Sequence, residues 1–172
     1  QPAVLPPGAR VDLAVRCTGP TQLNLSSAGN PSACRTIAEE ESARIESLRV
    51  RKNGSERISA LRAEMHHSME TGCGVYREQD SMDDTARKTT ELRERYAALK
   101  LEDESRVFNT ELIAALELGN MLLVAEAVAT SASHRHESRG AHARRDRTTR
   151  DDQNFLYHTL CHWDSGGPRL DR

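Results

Sequence analysis

Aromatic residues are almost missing from this chain: two Phe, three Tyr and one Trp make up 3% of its 172 residues. With so few large β-formers beside 29% charged and 37% hydrophobic residues, the composition argues against a β-sandwich and predicts a soluble, helix-rich domain. Its length suits one domain with tails and is enough to bury a core. Cysteine is scarce and unpatterned. Cys17, Cys34, Cys73 and Cys161 form no C-x-x-C pair and no even framework, which excludes a zinc ribbon and a secreted disulfide scaffold and predicts reduced thiols in a cytoplasmic setting. The opening QPAVLPPGAR has no Met, basic n-region or apolar h-region, so no signal peptide is read there; a processed chain or an excised piece is expected. An unbroken membrane span is also lacking. The most apolar stretch, Glu111 to Thr130, has about the right length but carries Glu117, Asn120 and Glu126, and a carboxylate near the bilayer centre costs about 3 kcal/mol. It is expected to be a core helix.

What is present is helical punctuation. Residues 1–30 hold Pro2, Pro6, Pro7 and Pro20 with Gly8, Gly19 and Gly29, and read as a loop-rich arm around one short apolar run, VDLAV. Asn30 before Pro31 is a cap-then-proline start, and Ala33, Ile37, Ala38, Ile45 and Leu48 give a thin apolar face to about Val50. After Asn53-Gly54, Ser55 is expected to open a helix bearing Ile58, Leu61, Met65 and Met69, stopped by Gly72 and Gly74. Ser81 with Asp84 resembles a capping box leading a helix with Thr85, Thr89, Leu92, Tyr96 and Leu99, and Asn109 caps the long apolar helix. The fold predicted is all-α. A three- to four-helix antiparallel bundle spans residues 31–133, an irregular Arg/Asp/His-rich docking segment with a short C-terminal helix spans 134–163, and 164–172 is a frayed tail.

The stretch ESRGAHARRDRTTRDD, residues 137–152, packs arginine among acids and admits four readings. A nucleic-acid patch is disfavoured, because residues 134–172 balance eight Arg against six Asp or Glu without aromatic interleaving. A metal site drawn from His134, His136, His142, His158, Cys161 and His162 matches no four-ligand spacing, and the neighbouring His66 and His67 read as a solvated helical face. Ser138 and His142 lie four apart without a glycine elbow, a weak sign of nucleophilic chemistry. The fourth reading is an ion-pair network for docking, since a guanidinium fork matches a carboxylate. Glu117 and Glu126 lie half a turn apart on an apolar helix, so both are not expected to face water; Arg139 or Arg150 is the expected cation for a buried one.

ESRGAH, followed by RDD, NFL and HTL, resembles the C-terminal region of the flavoprotein subunits of fumarate reductase and succinate dehydrogenase. Further blocks agree in order: LRAEM with ETGCGVYR, ELRERY, and SRVFNTEL running into ALELGNML. GCGVYR and NFLYHTL look closer to fumarate reductase. Arg147-Thr148-Thr149 stands where the family usually has an aromatic and a Pro, and Arg172 comes before the family's strand-rich tail. The resemblance implies a helical domain packed on an FAD-binding domain, with electrons passing from flavin to an iron-sulfur subunit and on to quinone. FAD and the catalytic residues then belong to upstream segments, so no catalytic, cofactor-binding or metal residue is expected here, and the chain alone is expected to be inactive. The implied partners are the FAD-binding domain, the iron-sulfur subunit and, indirectly, a membrane anchor, with no nucleic acid; the implied place is the cytoplasmic face of the inner membrane. Structural and docking candidates are Glu137, Ser138, Arg139, His142, Arg150, Asp151, Asp152 and His158. The alternative is a free-standing helical interaction module derived from such a domain.

Overall fold

The structure is a computed structural model that describes residues 31–164 and 166–172. In chain order its elements are α1 (Pro31–Arg49), α2 (Ile58–Cys73), β1 (Tyr76–Arg77), α3 (Gln79–Tyr96), α4 (Thr110–His134), β2 (Ala143–Arg144), α5 (Asp152–Phe155), β3 (Leu160–Asp164) and β4 (Gly167–Asp171). The chain divides after Ser47 into two units, so most of α1 belongs to the first and everything below concerns the second, Leu48–Arg172. The arm expected over residues 1–30 and the Asn30 cap lie outside the described residues.

Helices α2, α3 and α4 pack against one another in all three pairings. Their apolar residues recur every three or four positions, which brings Leu61 and Met65 of α2, Leu92 of α3, and Ala115, Leu118 and Leu122 of α4 into one buried cluster with Leu48, Leu99 and Leu101. A second cluster at the other end joins Cys73, Met82, Ala129 and Ala132. Gly72 lets α2 and α3 touch there: a Cβ at this position would lie 2.1 Å from Thr85 Oγ1 and 2.3 Å from the Ser81 carbonyl. Asn109 caps α4 as its type predicts, its Oδ1 accepting from the Leu112 amide at 2.7 Å.

The helical expectation holds for most of the described residues, and among them two short strand pairs add to it. β1 pairs in parallel with β2, Tyr76 opposite Ala143 and Arg77 opposite Arg144. β3 and β4 form an antiparallel hairpin from Leu160 opposite Asp171 to Asp164 opposite Gly167, so Gly167–Asp171 is a paired strand within the stretch where a frayed tail was expected. Gly167 makes this possible. Its φ of 118° suits glycine alone, and its position is buried beside Glu126 and Arg93. The short terminal helix expected within 134–163 is α5, which ends at Phe155 before Leu160 opens β3.

Two helix starts also move. α2 begins at Ile58, because the amides of Ser55 and Glu56 donate to the Ala98 carbonyl and so hold that segment extended beside the exit of α3. α3 begins at Gln79. Ser81 therefore lies inside its first turn, donating to the Glu78 carbonyl, and no side-chain cap forms.

Candidate functional site

Between α4 and β3 the backbone has little regular pairing, so side chains must satisfy its polar groups. Glu137 is the centre of that arrangement. Its side chain is 0% exposed, and it accepts from Arg135 Nε at 2.9 Å, Arg139 Nε at 2.7 Å, a second Arg139 nitrogen at 2.9 Å and the Asp151 amide at 2.8 Å. The Arg139 guanidinium, helped by the Asp151 amide and Arg135, outweighs burial and holds the carboxyl down at about 2. Arg139 reaches on to Asp152 at 2.7 Å, and Arg150 closes on the same carboxylate. Asp151 accepts from the Gln153 and Asn154 amides at the start of α5. Arg135 carries the network to the chain's end: it donates to the carbonyls of Phe155 and Tyr157 and to the Thr159 hydroxyl, with its guanidinium over both aromatic rings.

Arg144 forms the second node. Its buried guanidinium grips Asp146, the Arg135 carbonyl at 2.9 Å and Gln79 Oε1 at 2.8 Å. Asp146 is held at about 2, chiefly by Arg144, and it accepts from the Gln79 amide. Gln79 also donates to Asp83 and to Ser133, so the start of α3, the end of α4 and the irregular segment are tied at one point.

His142 has both ring nitrogens engaged. Arg77 can only donate and a carbonyl can only accept, so Nδ1 is the bare nitrogen facing Arg77 at 2.9 Å and Nε2–H donates to the Arg135 carbonyl at 3.0 Å. Burial, with help from the Arg77 charge, pushes this imidazole below its usual pKa. Ser138 is equally occupied: its hydroxyl donates to the Arg147 carbonyl at 2.7 Å and accepts from the Arg144 amide at 2.8 Å. Neither side chain is free to act as nucleophile or base. His158 stands apart and exposed, at a cleft of about 340 Å³ that Phe155 and Tyr157 also line.

The structure thus brings Glu137, Arg139, Arg150, Asp151 and Asp152 together, places His142 and Ser138 in the adjoining backbone brace, and leaves His158 outside. The expected partner for the α4 carboxylates must be corrected. Glu126, 2% exposed, receives Arg93 Nε at 2.6 Å and the Thr90 hydroxyl at 2.8 Å, both from α3, which runs alongside α4 and offers a cation at shorter reach than Arg139 or Arg150. Glu117, half a turn away, is 64% exposed, so one of the two does face water. Arg93 also lies over the Trp163 ring at 5.4 Å, which links the hairpin to the same pair. Gln79 and Arg93 were missed by sequence reasoning because their partners are distant in the chain; Arg135 and Arg144 each have a carboxylate two residues on, but the carbonyls and the distant Gln79 that make them nodes leave no mark in residue spacing. Chemically the arrangement can hold segments together. Its carboxylates are pinned in the charged form, and among the described residues no group of three or more His, Cys, Asp or Glu converges on a common point.

Residues 62–172 match the family described as fumarate reductase flavoprotein C-term. The fumarate reductase flavoprotein subunit of Haemophilus influenzae is 46% identical over 143 residues, covering 83% of this chain and 24% of that protein. The succinate dehydrogenase flavoprotein subunit of Rickettsia conorii is 39% identical over 115 residues, 67% of this chain and 19% of its own length. An Escherichia coli quinol fumarate reductase chain superposes with a TM-score of 0.78 at 44% identity, covering 83% of this chain and 25% of that one. The likeness to fumarate reductase exceeds that to succinate dehydrogenase, and the chain spans about a quarter of the length of these relatives.

Proposed function

The chain belongs to the fumarate reductase flavoprotein C-terminal family, and on that premise we propose that it is the helical C-terminal body of an FAD-dependent fumarate reductase or succinate dehydrogenase flavoprotein. Its role is support and docking. In this reading α2, α3 and α4 form an antiparallel three-helix bundle, the FAD-binding part of the subunit is the immediate neighbour, and an iron-sulfur subunit and a membrane anchor complete an assembly on the cytoplasmic face of the inner membrane. The observation that carries the reading is the match over residues 62–172, which includes the whole Arg/Asp segment.

The described residues do not suit FAD itself. β1 is two residues long and passes into α3 through Glu78 with no glycine turn to cradle a pyrophosphate. No step of fumarate or succinate chemistry is therefore placed on this chain.

The test is a chimera in which this chain replaces the matched stretch of the Haemophilus influenzae subunit. Fumarate-dependent oxidation of a reduced viologen dye is expected from the FAD-loaded chimera and not from the 172-residue chain. Turnover by the chain alone, or an inactive chimera, would contradict the reading.

A further inference from the structure

The Arg/Asp segment closes on itself at the end of the bundle where α3 starts and α4 stops. At the other end the charges are not matched. A cleft of about 570 Å³ opens between the first turns of α2, the segment that leaves α3 and the first turn of α4, a volume typical of a small-molecule site. Arg57, Arg62 and Lys100 line it. Backbone pairing sets two of them side by side: Glu56 and Leu99 form a parallel bridge, with the Lys100 amide donating to the Glu56 carbonyl, so Arg57 and Lys100 are the next residues on each strand. Like charges at neighbouring positions repel. The nearest carboxylate in sequence is turned away, because Glu56 accepts from Arg95 on α3 at 2.8 and 3.1 Å.

Arg62, in the second turn of α2, is poorly satisfied. Its contacts are the Ala114 carbonyl at 3.4 Å and the Glu117 carboxylate at 4.0 Å, and its Nε is the only buried side-chain nitrogen or oxygen among the described residues without a hydrogen-bond partner. Lys100 is exposed and makes no ion pair among the described residues. The two acids of the cleft do not supply the missing charge. Glu102 stands 3.7 Å from Arg57 with both side chains in water, and Glu111 accepts from the Glu102 and Asp103 amides at 2.8 and 2.7 Å. The start of α2 adds to the surplus: Arg57 at its N-cap can only donate, and no acid lies in the first turn to offset the positive end of the helix dipole.

We propose that this cleft is an oxyanion site for the phosphate or pyrophosphate group of a small soluble molecule. Donors on the start of α2, on its second turn and on the segment beyond α3 suit a tetrahedral group with at least three acceptor oxygens, whereas a lone carboxylate has only two. Ile58 and Ala63 give the same cleft an apolar wall for the rest of the molecule.

The test titrates pyrophosphate, inorganic phosphate and succinate into the 172-residue chain by isothermal calorimetry at low ionic strength. Saturable binding of one pyrophosphate per chain is expected, weakened about tenfold in R62Q and about tenfold in K100Q. R87Q, at an exposed cation of α3 paired with Asp84, is the control and should bind as wild type does. Because Lys100 is exposed, K100Q keeps the fold and decides the matter even if R62Q unfolds. No saturable heat, or equal weakening by R87Q, would overturn the inference, the latter by showing a diffuse charge effect. So would succinate that displaces pyrophosphate at equal concentration, which points to a carboxylate occupant, or binding seen only with phosphatidylglycerol vesicles, which points to a lipid headgroup. None of these results bears on the family reading, which the chimera tests.

Discussion

Replacing Glu137 by Gln keeps the shape of the side chain and removes the charge on which two guanidinium groups and the Asp151 amide converge. Breaking a fully buried ion pair costs about 3–5 kcal/mol. Both arginine partners retain some access to water, so the low end applies, about 3 kcal/mol. For a domain of this size that lowers Tm by about 10 °C. The pH dependence has a definite sign. The folded-state pKa of Glu137 is depressed to about 2 from 4.5, so its contribution is complete above the unfolded value and is lost as pH falls toward 2. Thermal melts followed by circular dichroism at 222 nm should show the full gap between wild type and E137Q at pH 7, narrowing below about 4.5 and closing near 2. A Tm change under about 2 °C at pH 7, or a gap independent of pH, would refute the reasoning.

Three further outcomes follow from the geometry. R93M strands Glu126 with only Thr90, so stability should fall by about 3 kcal/mol; the emission of Trp163, the chain's one tryptophan, should shift at the same time, and an unchanged spectrum would mean that the hairpin is not held there. G72A drives a methyl into Thr85 and the Ser81 carbonyl and should cost about 2 kcal/mol in a denaturant titration. Protonating His142 would point a second donor at Arg77; because burial lowers its pKa, stability is full above the ordinary value of 6.5 and declines as pH drops below it, so wild type should lose more Tm than H142Q between neutral and mildly acidic pH.

The helical core was legible because its signal is local and repeated. Leu61 with Met65, and Leu118 with Leu122, recur at helical spacing, and Asn109 is a cap by residue type. The strands were not legible: β1 and β2 are two residues each, too short to alternate, and β4 reads as Gly-Pro-rich frayed chain until Gly167 is seen against Glu126. The half-turn offset of Glu117 and Glu126 was readable and separates a solvated from a buried carboxylate, but the cation belongs to Arg93, 33 residues earlier, and no spacing rule reaches that far. Within the Arg/Asp segment the residue types announced an ion-pair network. What they did not announce is that it closes on itself, with Arg135 and Arg144 binding carbonyls as much as carboxylates.

That closure is the central claim, and hydrogen exchange on the isolated chain tests it most directly. The amides of Ser138, Arg144, Arg145 and Asp151 donate to the Thr149 carbonyl, the Ser138 hydroxyl, the Arg77 carbonyl and Glu137. They should exchange slowly in the chain alone, with little further slowing in the chimera. Fast exchange at these four amides until the flavin-binding part is present would contradict the account.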